Sequence, residues 1–84
     1  MGNMLSDHQD TEHFSYQRSW DEIEVMLSKA EQVENMWQIK LLKYKSEDNR
    51  KRCIECIRNI KALEGVIKTL RWTLGDKNIN HPLN

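Results

Sequence analysis

The sequence predicts an all-α protein, an antiparallel two-helix hairpin with heptad seams, and three observations carry that prediction. Charged residues make up 31% of the 84 positions while only three glycines and one proline occur, a composition that disfavours strand-rich or loop-rich folds and suits long uninterrupted helices. Two stretches repeat apolar residues at alternating steps of three and four, the spacing that lines one face of a helix. The two stripes are out of phase with each other, so a single straight helix has no single seam.

Residues 1–18 are polar, mixed in charge and without period, and read as a flexible or loosely docked N-terminal arm. Ser19 opens the first helix: its hydroxyl suits an N-cap, Asp21 and Glu22 favour the positive end of the helix dipole, and Glu22 stands where a capping box needs a carboxylate. The first seam reads Ile23, Met26, Ala30, Val33, Trp37, Leu41 and Tyr44, with a slip of one residue near Lys40. The second seam, Cys53, Cys56, Ile60, Leu63, Ile67, Leu70 and Leu74, alternates without a miss. Gly75 suits the position just past a helix end, and Pro82 prevents the helix from resuming. The predicted organisation is one unit: helices over about 19–46 and 49–74 within a hairpin over 19–75, then a tail over 76–84.

The reversal is placed at Ser46, Glu47, Asp48 and Asn49, residue types that bond their own backbone in caps and turns. Tyr44 and Cys53 are nine positions apart, and at about 100° per residue a continuous helix would turn them to opposite sides. A chain that doubles back lets the stripes meet, with the acidic start of the first helix beside Lys68 and Arg71.

Charge is distributed unevenly along the chain although the formal total is +0. Residues 1–34 hold eight acids against two bases, and residues 35–72 hold ten bases against four acids. Zero net charge gives no general pull toward duplex nucleic acid. No apolar run reaches the ~18 residues that a membrane span needs, and the first ten residues lack the basic start and apolar stretch of a secretion signal. These features imply a cytoplasmic protein that engages no membrane.

Cys53 and Cys56 spell C-x-x-C, but both fall on the seam, and His8, His13 and His81 are scattered through the two ends of the chain. Core packing of two thiols is therefore the reading, with no metal and no cofactor implied. Neither a phosphate loop nor a nucleophile elbow is present, so the sequence does not predict an enzyme. Binding is predicted instead.

Helix one turns apolar on nearly every side near its end, more than one seam can bury. The expected solution is a homo-oligomer together with a cellular protein partner held on Trp37, Leu41, Leu42, Tyr44 and Trp72, since aromatic anchors dominate interface energetics. In a competing reading the arm covers the surplus with Met4, Leu5, Phe14 and Tyr16; in another the chain is a structural scaffold. Bases gathered around the turn, from Lys40 to Lys61, would suit an anion-binding role.

The plan of a short polar arm, two long helices and a small tail resembles small phage-encoded proteins that interfere with the host. It is similar to the phage anti-CBASS cyclic-nucleotide sponges through Tyr16 and Lys29, with the run Glu22-Ile23-Glu24-Val25-Met26 between them, and through Gly65 and Arg71 in the second helix. The resemblance implies host takeover or counter-defence, and as an alternative a cyclic nucleotide gripped by Tyr16, Lys29 and Arg71 and so kept from immune signalling. The spacing differs from that family's pattern, which leaves this ligand set an alternative to the protein-binding reading.

Overall fold

The computed structural model describes residues 13–15 and 17–83. It contains two helices, α1 (Trp20–Ser46) and α2 (Arg50–Thr73), packed against each other as a hairpin. Among the described residues there is no strand.

α1 begins on the capping box expected from its sequence. The Ser19 hydroxyl accepts from the Glu22 backbone N–H at 3.1 Å, and the Glu22 carboxylate accepts from the Ser19 N–H at 3.0 Å. Two of the donors that a helix start leaves unpaired are thereby satisfied.

Asn49 joins the two helices by closing one and opening the other. Its backbone N–H donates to the Tyr44 carbonyl at 2.9 Å, and the Asp48 N–H donates to Lys45 at 3.2 Å. That pair of bonds is a Schellman closure, which needs a left-handed residue between them. Asp48 supplies it at φ 57°. The Asn49 side chain then accepts from the Arg52 N–H at 3.2 Å and caps α2. A turn without glycine works here because aspartate and asparagine tolerate the left-handed region better than other side-chain-bearing residues. We expect Asp48→Val to lower stability by about 1–2 kcal/mol and Asp48→Gly to leave it within about 0.5 kcal/mol, as read by urea unfolding.

The far end of α2 repeats the device with glycine. Gly75, at φ 91°, follows the C-cap Leu74, and the N–H groups of Gly75 and Asp76 donate to Trp72 and Arg71 at 3.0 and 2.9 Å. Beyond it the chain turns at Asp76, whose carboxylate accepts from the Asn78 N–H at 2.9 Å. Pro82 and Leu83 come back alongside Ala62, Gly65 and Val66 of α2.

Packing between the helices differs from the sequence expectation on α1 and agrees with it on α2. The α2 seam is the predicted one, with Cys56 fully buried, Ile60 buried, and Cys53, Leu63, Ile67, Leu70 and Leu74 half-buried. On α1 the line turned inward is Ile23, Leu27, Ala30, Glu34, Trp37, Leu41 and Tyr44, with Glu31 and Lys40 half-buried on either side of it. Met26 is 54% exposed and Val33 39% exposed, so neither belongs to the seam. The predicted slip near Lys40 is likewise absent, because the observed set alternates by four and three throughout. Apolar residues stand at both 26 and 27, and a glutamate stands at 34. Apolar pattern matching therefore chooses Met26 and Val33, whereas an unbroken helix leading to Trp37, Leu41 and Tyr44 turns Leu27 and Glu34 inward.

Arg71 ties three parts of the molecule together. Its guanidinium pairs with Glu31 of α1 and lies 3.7 Å from the Asp76 carboxylate in the tail. These groups are partly exposed, so solvent screens the network and its contribution to stability is modest. Its value is directional, since it fixes which side of α1 meets which side of α2.

Candidate interaction surface

Burial in this hairpin is sparse. Among the described residues only Ala30, Cys56 and Ile60 are buried, while thirteen large apolar residues are exposed. Two helices meeting along one line cover one stripe on each, and everything off that stripe faces outward.

The exposed residues fall into distinct places. On one flank of α1 lie Met26, Val33 and Met36; Met26 shares an open groove with Leu70 of α2, beside Ile23, Glu22 and Arg18. Nearer the turn lie Ile39 and Leu42 of α1, with Ile54 and Ile57 at the start of α2. Trp20 and Trp72 are exposed at the opposite end. Phe14, expected in one reading to cover this surplus, is itself 62% exposed. Its proposed companions Met4, Leu5 and Tyr16 lie outside the described residues.

The five residues predicted to hold a protein partner do not form one surface. Trp37, Leu41 and Tyr44 are half-buried in the hairpin's own seam, while Leu42 and Trp72 are exposed. In an antiparallel hairpin turning at Asp48, Leu42 is level with the first turns of α2. Trp72 lies some eighteen residues further along, about 27 Å at 1.5 Å per residue.

Of the predicted nucleotide-binding set, Tyr16 is outside the described residues, and Lys29 and Arg71 do not converge. Arg71 reaches Glu31, which is two positions beyond Lys29 and so points to nearly the opposite side of α1.

Electrostatics concentrate at the turn. Residues 36–60 hold seven bases against three acids, +4. Lys43 and Lys45 stand in the last turn of α1, where the helix dipole favours cations. The first turn of α2 contains Arg50, Lys51 and Arg52 and no acid, an arrangement the dipole opposes. Arg52 is held by Glu55 at 3.2 Å, Lys40 lies 4.6 Å from the centre of the Trp37 ring, and Lys43 lies 5.8 Å from that of Tyr44. Grooves here are open: one is lined by α2 residues such as Lys51, Ile54, Arg58 and Asn59, and another by Lys45, Asp48, Arg50 and Cys53 across the turn.

At the other end, the carboxyl of Glu22 is held below its ordinary value, first by the Ser19 backbone N–H and then by Arg18 and the Ser19 hydroxyl. The shift reflects the cap and assigns no chemistry to Glu22. Both cysteines are free thiols, Cys56 buried and Cys53 half-buried. Among the described residues no three histidine, cysteine or acidic side chains gather as a metal site would require, and no helix is long and apolar enough to cross a membrane.

Fold and surface together define the class: an all-α helical hairpin whose apolar surface exceeds what its own seam covers. No protein-family model, curated protein or solved structure matches the chain.

Proposed function

We propose that this chain is a non-enzymatic interaction protein of the cytoplasm that self-associates through its helices and docks a cellular protein. The observation that supports this reading is the imbalance of its surface: among the described residues, three are buried against thirteen exposed large apolar ones. Burying a large apolar side chain contributes about 1.5–3 kcal/mol, so covering several of them favours association strongly. Free thiols on the seam suit a reducing compartment.

The turn end is the part suited to a foreign partner. There Leu42, Ile54 and Ile57 are exposed among the bases, so the partner it fits is an acidic, partly apolar protein surface. A role in host takeover or counter-defence has its support in the resemblance to phage host-interference proteins.

Light scattering on the purified protein tests self-association. The expected mass is a multiple of the 10.1 kDa chain, with a melting temperature that rises with concentration. A 10.1 kDa species with a concentration-independent melt contradicts the reading.

A further inference from the structure

α1 carries a second stripe beside its seam, and that stripe is self-complementary. Its members are Glu22, Met26, Lys29, Val33, Met36 and Lys40, alternating by four and three like the seam and each preceding a seam residue by one. The stripe is therefore rotated about 100° from the line that meets α2. Met26, Val33 and Met36 are exposed on it. The hairpin covers them only in part, leaving Met26 54%, Val33 39% and Met36 44% exposed.

Laid antiparallel against a second copy of α1, with a two-fold axis at the level of Glu31, the stripe matches itself. Glu22 faces Lys40 of the second copy, Met26 faces Met36, and Lys29 faces Val33, each contact occurring twice. The end pairs are opposite in charge and the apolar positions meet apolar positions or the aliphatic stem of a lysine. A parallel arrangement would instead set Glu22 against Glu22 and Lys40 against Lys40. Although Glu22 also holds Arg18 and Lys40 lies over Trp37, charge complementarity favours a second copy laid antiparallel over one laid parallel.

We propose that the protein forms a two-fold symmetric dimer through this stripe, two hairpins side by side with their α1 helices antiparallel. The proposal rests on the self-association reading above and specifies its surface. Such an isologous contact makes a four-helix arrangement in which Leu70, beside Met26 on the same flank, adds apolar cover. The basic turn of each hairpin stays at an outer end, where a partner can reach it.

Met26→Glu and Met36→Lys test the proposal, because both positions are exposed on the hairpin, Met36 off its seam and Met26 at the rim of the groove it shares with Ile23 and Leu70. Circular dichroism first confirms that each variant is helical. In sedimentation equilibrium, each variant alone places two charges against methionines, and its dimer dissociation constant is expected to rise at least about tenfold. An equimolar mixture sets the introduced carboxylate against the introduced ammonium at one contact and methionine against methionine at the other, and is expected to recover a dimer that neither variant forms. Variants that keep the wild-type mass would overturn the stripe as interface, and monomeric variants that fail to recover on mixing would overturn its antiparallel register. A variant that is not helical is replaced by Met26→Gln or Met36→Gln, read the same way against wild type. Wild-type protein that is itself monomeric would instead remove the self-association reading, a result distinct from the other two.

Discussion

Ile60→Asp is expected to abolish the helical signal of the protein at 25 °C. Ile60 is one of three buried residues among those described and sits in the middle of the α2 seam. The substitution removes its buried apolar surface, worth about 2–5 kcal/mol in truncations to alanine, and places a carboxylate where, among the described residues, no polar group is buried to receive it. For a chain of this size that loss approaches the whole stability. Ile57→Asp is the matched control: it lies one turn away on the same helix but is exposed, so the same chemical change should leave the fold intact. Far-UV circular dichroism of the two variants decides the matter, and equal effects would contradict the assigned seam.

Glu34→Leu is expected to act in the opposite direction. Glu34 is half-buried at a seam position otherwise taken by apolar residues. Leucine there would gain roughly half the burial of a full side chain, about 1 kcal/mol, and an increase of that size raises the melting temperature of a small domain by about 4–8 °C. If Val33 occupied the seam in its place, Glu34 would face solvent and its replacement would bring no such gain. Thermal unfolding therefore separates the two registers.

Those registers show how far the residues alone carry the structure. The hairpin is legible because Tyr44 and Cys53 are out of phase, and the α2 seam because its heptads are unbroken. The caps are legible from Ser19, Glu22 and Gly75, whose chemistry is local. The α1 seam is not legible from hydrophobicity, since Glu34 interrupts it while Met26 and Val33 offer an apolar substitute. The apparent slip near Lys40 arises from joining members of two stripes that run side by side one residue apart. Regular alternation by four and three, followed without regard to polarity, distinguishes them.

The interaction surface is less legible for a related reason. Trp37, Leu41 and Tyr44 are large and aromatic or apolar, as interface anchors are, but the same properties suit the intramolecular seam that holds them. Leu42 is accessible because it is one position past Leu41 and rotated off that seam. Side-chain type alone does not distinguish a residue facing its own chain from one facing another.

Every surface described above requires α1 and α2 to lie side by side within one molecule. The most direct test is the distance between probes introduced through unnatural amino acids at Glu24 and Thr73, with labelled protein diluted into unlabelled so that only pairs within one chain are read. The hairpin predicts a separation under about 20 Å, given helix axes about 8–10 Å apart. A distance near 70 Å, roughly what a continuous helix of about 1.5 Å per residue would give, would contradict it.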